Sequence, residues 1–236
     1  MLRVLSALGV TLWWLTLSGC GGDGNDGSSQ FQRAIEPEAQ ERAESNLLTL
    51  EDLPDGWRAE APDEEDAEGD EAFNDCVGVD YSDLTVTGEA SSDDFAMGET
   101  AQASSQAEVF ESAEMAAEAV ARFSQAFSGE QANTCLSDSF AEFEDDQVEI
   151  SGAEVGELSF TAPAGVDDAR AWQVVFTIEG KPGTPAAGVL VTAYVDFLQV
   201  RKGDATAEVS TLDIETPFDP ALRDELVGAV ADRLGG

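Results

Sequence analysis

The sequence contains no histidine, and its only lysines are Lys181 and Lys202. The missing imidazole removes the Ser-His-Asp and Cys-His nucleophile systems and the commonest transition-metal ligand. Both lysines fall in turn-rich stretches, so a serine–lysine pair has little to build on. Lys and Arg together number 11 against 49 Asp and Glu, a formal charge of −38. No basic stripe exists to displace phosphate counterions, which excludes nucleic acid as a partner. No Gly-rich phosphate loop follows a strand. Paired carboxylates could hydrolyse glycosides, but among so many acids some pair sits at any separation by chance. The expectation is a protein that is not an enzyme and uses no metal and no cofactor.

What is present begins at the N-terminus. Arg3 precedes an apolar run from Val4 to Leu17, broken only by Ser6, Gly9, Thr11 and Thr16 and too short to span a bilayer comfortably. It ends in Leu17-Ser18-Gly19-Cys20. Ser18 and Gly19 let the chain lie extended in a peptidase cleft, and the cysteine follows at once. This pattern resembles the lipobox of bacterial lipoproteins, whose cysteine is diacylated and becomes the new N-terminus. Residues 1–19 are therefore expected as a lipoprotein signal peptide. Cys20 is the expected lipidation site, holding the chain to the cell membrane on its extracytoplasmic face.

Loss of Arg3 with the signal would move the formal charge from −38 to −39. An anionic membrane repels such a body, so lipid and not a polybasic patch must hold it there. Self-repulsion on this scale weakens a compact state in dilute buffer, whereas molar salt shortens the Debye length to about 3 Å. A salt-rich, halophilic setting is expected. At 42% hydrophobic residues the chain is nevertheless too apolar for wholesale disorder. The remaining pair, Cys76 and Cys135, reads as one disulfide in an exported chain. It would close a loop of about 60 residues and stabilise by roughly 4 kcal/mol on the loop-entropy model.

Residues 20–46 are expected as a flexible acidic tether. Gly21 to Gln30 has no apolar residue, and Phe31 to Glu44 is charged and expected to be loose or weakly helical. Residues 47–236 are expected as a single α+β domain. Leu53-Pro54-Asp55-Gly56-Trp57 is a turn that folds Trp57 back onto it. The acidic run Asp63 to Glu71 lacks the alternating spacing of a calcium loop and reads as a solvated surface loop.

Ala101 to Val109 alternates small or apolar with polar residues, the pattern of a half-buried strand. Ser112 caps a helix whose Met115, Ala119, Phe123 and Phe127 share a face before Gly129 ends it. A further helical piece from about Gln131 to Phe143 carries Cys135. Val148 to Phe160 reads as a strand bent at Gly152 or Gly156. Trp172, Val174, Phe176 and Ile178 form one face of the next strand. Val189 to Val200 is the longest, apolar on both faces and hence central. Lys202-Gly203-Asp204 turns into a strand from Ala205 to Ile214. Asp219-Pro220 starts a last amphipathic helix with Leu222, Leu226, Val230 and Leu234 buried. Helices apart from an antiparallel run give an α+β fold, mainly an antiparallel sheet with helices packed on it.

The lipobox, the tether, Leu47 to Trp57, the cysteine pair and Val200-Arg201-Lys202-Gly203-Asp204 before a last helix are similar to actinobacterial envelope lipoproteins. More distantly, the stretch from Leu47 onward resembles the extracellular sensor domain of a mycobacterial serine/threonine kinase. The resemblance implies an α/β sandwich with an open cleft that binds an unknown envelope ligand or protein, and no catalytic residues to carry over. That domain carries two disulfides, where this chain can make one. Trp172, Tyr194 and Phe197 are the candidate residues lining such a cleft. The alternative is an envelope component that docks on another protein and has no small-molecule site.

Overall fold

The computed structural model describes residues 31–60, 76–141 and 148–234. The signal peptide, Cys20, the stretch Gly21 to Gln30 and the acidic run Asp63 to Glu71 lie outside the described residues. In chain order the elements are β1 (Gln32–Arg33), α1 (Pro37–Ser45), a 3-10 turn (Leu50–Asp52), β2 (Arg58–Glu60), β3 (Thr85–Ser91), β4 (Asp94–Met97) and β5 (Ala101–Phe110). There follow α2 (Ala113–Ser128), α3 (Ala132–Ala141), β6 (Val148–Glu157), β7 (Asp168–Gly180), β8 (Leu190–Lys202), β9 (Ala205–Ile214) and α4 (Pro220–Arg233).

The strands form one sheet in the order β1-β3-β5-β9-β8-β7-β6. β3 and β4 pair with different halves of β5, and β2 extends the sheet beyond β4. Every described pairing is antiparallel except that of β1 with β3. The fold is therefore mixed α+β, as the alternation and turn signals imply. β8 shares its length of 13 residues with β7, so it is not the longest strand alone.

Side chains of a strand alternate between faces, and here both faces are covered. One face carries Phe110, Trp172, Val174, Phe176, Phe197 and Leu212 against Ala116, Ala119, Phe123 and Phe127 of α2 and Leu136 of α3. The other carries Ala103, Ala107, Val109, Leu198, Val200 and Val209 against Ala39 and Ala43 of α1, Leu226, Val227 and Val230 of α4, and Leu234 at its C-cap. Each fully buried Leu or Phe contributes about 1.5–3 kcal/mol. Trp57 is buried in the second core with its ring 6.1 Å from that of Phe218, as the turn before it requires.

The caps match their sequence signals. Ser112 accepts from the Met115 amide, and Asp219 accepts from the amides of Ala221 and Leu222. Cys76 and Cys135 form a disulfide with Cα atoms 5.6 Å apart, which ties α3 to the segment before β3. β6 shifts register between Ile150 and Gly152, the site of the expected bend.

The tether expected over residues 20–46 ends earlier than its composition implies. β1 pairs with β3, and α1 lies on the sheet with Ala39 and Ala43 buried. A Cβ on Gly88 of β3 would come within 2.3 Å of the Ala39 carbonyl carbon, so only glycine lets α1 approach this closely. Gln40 exchanges two hydrogen bonds with the backbone of Glu89, and Arg42 grips Asp204 with both terminal nitrogens. The buried stripe of α1 is two alanines wide and leaves little hydrophobic signal. The strands β3 and β4 also escape the sequence reading, because Gly88, Glu89, Ser91 and Asp94 carry no clear apolar alternation.

Candidate functional site

Strand β7 runs next to the sheet edge, between β8 and the bent edge strand β6. α2 crosses the same face, and Phe123 and Phe127, one turn apart, bring their rings to within 4.7 Å of each other. Trp172 and Phe197 sit directly opposite one another on β7 and β8. The rings interlock: Phe123 meets Trp172 edge-on at 5.3 Å, and Phe127 lies 5.6 Å from Trp172 and 5.4 Å from Phe197. Where α2 stops at Gly129 the helix no longer covers β7. A cleft of about 550 Å³ opens there between the end of α2, the start of α3 and strands β6 and β7.

Trp172 and Phe127 reach its apolar part only by their edges, 5% and 4% exposed. Its polar part is made by Ser124, Ser128, Glu130, Asn133, Glu157, Asp168 and Arg170. Asn133 accepts from the Val155 amide at 2.8 Å and so fastens α3 to β6 across the cleft. Arg170 Nε lies 3.3 Å from Asp168 Oδ1, one strand residue pair away on the same face.

Of the three aromatic candidates, the structure brings Trp172 to the cleft and packs Phe197 behind it in the core, 1% exposed. Tyr194 is a correction. It pairs with Val175, an odd number of residues from Trp172 on β7, and therefore points to the opposite face of the sheet. Residues that the sequence reading did not single out, Arg170, Asp168, Glu157 and Glu130, supply the cleft's charge.

A second feature lies further along the same face. Cross-strand pairing aligns Arg170 with Gln199, Gln199 with Glu208 and Glu208 with Gln106, so β7, β8, β9 and β5 share one polar row. The next row aligns Asp168, Arg201, Thr206, Glu108 and Glu89. The polar side of β5 reads from sequence as solvent-facing; instead it belongs to an enclosed face. Desolvation pushes the Glu108 carboxyl up to about 7, with Glu89 adding to it, and the Glu208 carboxyl up to about 8, with Glu108 adding to it. Thr206 Oγ1 donates to Glu108 and Ser210 Oγ to Glu208. Burial likewise raises the Tyr81 phenol. Among the described residues, Ser104 Oγ and Gln199 Oε1 are buried on this face without a hydrogen-bond partner.

The fold thus defines a class, an α+β sandwich whose mostly antiparallel sheet lies between two helical layers. Within that class it is similar to the extracellular domain of PknH from Mycobacterium tuberculosis, with a TM-score of 0.41 and 11% identity, over 84% of this chain and the whole of that one. No protein-family model matches the chain, and no curated protein matches it.

Proposed function

We propose that this chain is a lipid-anchored binding protein of the extracytoplasmic face, sensor-like in design, which holds an envelope ligand in the cleft beside Trp172. The observation that carries the reading is the cleft itself: a ligand-sized volume bounded by two helices and two strands, with a few polar groups along it. The disulfide supports an oxidising compartment outside the cytoplasm. The Leu17-Ser18-Gly19-Cys20 pattern supports acylation at Cys20. The lack of histidine, which removes the commonest nucleophile-activating base, favours binding over turnover. Docking on another protein without a small-molecule site is the second reading. Among the described residues, the exposed large apolar side chains Ile35, Leu50, Met97 and Leu190 sit on four separate segments and give it little support.

The test uses full-length protein extracted from its own membranes in mild detergent. Intact mass is expected to show acyl chains on Cys20, and Cys20→Ser is expected to move the protein to the soluble fraction. Native mass spectrometry is expected to show a small molecule retained by the wild type and lost in Trp172→Ala. A preparation that never carries a small molecule, and that returns the same protein partner with either residue at 172, would replace the cleft reading with docking.

A further inference from the structure

Away from the cleft, the enclosed polar rows of the sheet hold oxygen atoms that the fold itself leaves without partners. Glu208 of β9 stands between Gln106 of β5 and Gln199 of β8, directly opposite each. Glu108 lies one row along, opposite Thr206, and is close enough for its charge to act on Glu208. By strand parity these side chains all leave the sheet on the face that α2 crosses. Tyr81, from the segment before β3, lies near enough to feel both carboxylates. Glu208, Thr206 and Ser210 are buried, 3%, 2% and 3% exposed.

Two carboxyls do not make a site, and hydroxyls of Thr206 and Ser210 and the Gln106 side chain already bond this pair. The telling atoms are two others. Gln199 Oε1 faces Glu208 across the β8–β9 pair, in a residue 8% exposed, and no donor reaches it among the described residues. Ser104 Oγ, in a residue 2% exposed, stands opposite Ser210 and is likewise without a partner. A buried oxygen in that state carries a desolvation cost that a bound group relieves. The protein's own cations do not relieve it. The arginines on this face are turned to other acids, Arg33 to Glu89, Arg170 to Asp168 and Arg201 to Asp167, and Arg122 of α2 is held by Asp83 and Glu118.

Carboxylate, carboxamide and hydroxyl oxygens without nitrogen or sulfur are the donor set of a hard cation, for which the absence of histidine is no obstacle. Two carboxylates balance a divalent charge. Oxygens drawn from three strands at irregular spacing suit the larger, flexible shell of calcium better than the near-octahedral shell of magnesium. We propose that Glu108 and Glu208, with Gln199 Oε1 and the Thr206 and Ser104 hydroxyls about them, form a calcium site that joins β5, β9 and β8. Entry is from the side of Glu108 and Gln106, which are half-buried where Glu208 is enclosed. The bound ion neutralises the two carboxylates, ties β5 to β8 across β9 and stabilises the centre of the sheet.

The test uses the full chain in mild detergent, stripped with EDTA and dialysed near pH 9, where both carboxyls are ionised. Potassium chloride at about 1 M screens the acidic surface, so that only a built site still binds. Calcium chloride and magnesium chloride are titrated by calorimetry, and melting is followed with each. One calcium per chain is expected, with a rise in melting temperature and much weaker binding of magnesium. Glu108→Gln and Glu208→Gln are each expected to weaken calcium at least about tenfold. Each removes a buried charge, so in EDTA both variants are expected to melt no lower than the wild type. Gln199→Leu, which leaves the charge unchanged, is expected to weaken calcium by a smaller factor. Glu130→Gln with Glu157→Gln, two exposed acids elsewhere, is expected to change nothing.

If no calcium binds, or if it binds in many equivalents and equally to the Glu108 and Glu208 variants, the site is overturned. Magnesium binding as tightly as calcium overturns the calcium class. Unchanged affinity in Gln199→Leu overturns the ligand set, because its unpartnered oxygen is what sets this cluster apart from other acids. The cleft reading is independent of all these outcomes.

Discussion

On the α4 side of the sheet the buried charge is matched. Arg223 donates to Asp196 at 2.9 Å, their side chains 5% and 1% exposed, and Gln173 donates to the other carboxylate oxygen. On the α2 side, Glu108 and Glu208 stand on neighbouring strands with hydroxyl donors, and burial drives their carboxyls toward the neutral form. The same sheet therefore carries a buried ion pair on one face and two buried carboxyls held by hydroxyl donors on the other. A matched pair fixes how α4 docks and responds to little. An unmatched polar row responds to pH and to whatever donors or acceptors reach it, and it lies beside the cleft.

Breaking the matched pair gives the largest effect. Arg223→Met leaves Asp196 buried without its cation and is expected to cost about 3–5 kcal/mol in urea unfolding. A loss under 1 kcal/mol would mean that Asp196 is relieved by water and that the two faces differ less than their geometry implies.

The unmatched face should declare itself through pH. Glu108 and Glu208 have folded-state values above those of the unfolded chain, so the native state binds more protons between about 4.5 and about 8. Their contribution is complete below the unfolded value and is lost as pH rises through the folded ones. Glu208→Gln is expected to match wild type near pH 5 and to exceed it by a few kcal/mol near pH 9. Parallel stability curves for the two proteins across that range would show that Glu208 is not enclosed.

Packing on the matched face is tested next. Gly88→Ala places a methyl against the Ala39 carbonyl and is expected to cost about 1–3 kcal/mol. Hydrogen exchange should show the loss concentrated in α1. The smallest effect per step is that of salt: raising it toward molar should lift the melting temperature gradually as self-repulsion is screened. A flat or falling trend would remove the halophilic reading.

The same contrast explains what could be read from sequence. Elements with an apolar stripe were legible down to their caps: α2 from Ser112 to Gly129, α4 from Asp219, and the β8–β9 hairpin at Gly203. α1 was not, because alanine against a glycine gives close packing without hydrophobic periodicity. Parity along β8 already separates Tyr194 from Phe197, so the placement of Tyr194 was readable even though it was proposed for the same lining. The cleft was not readable. It is the gap left where α2 ends over β7, and its charged rim comes from residues that each look like ordinary surface acids.

The early start of the fold has a spatial consequence. Under the proposed acylation of Cys20, the dozen residues from it to β1 at Gln32 would reach about 40 Å even fully extended. Had order begun near Leu47, the leash would have reached about 90 Å. A leash that short would keep a protein so anchored close to the bilayer, within reach of what diffuses along its outer surface and not of what lies deeper in the envelope.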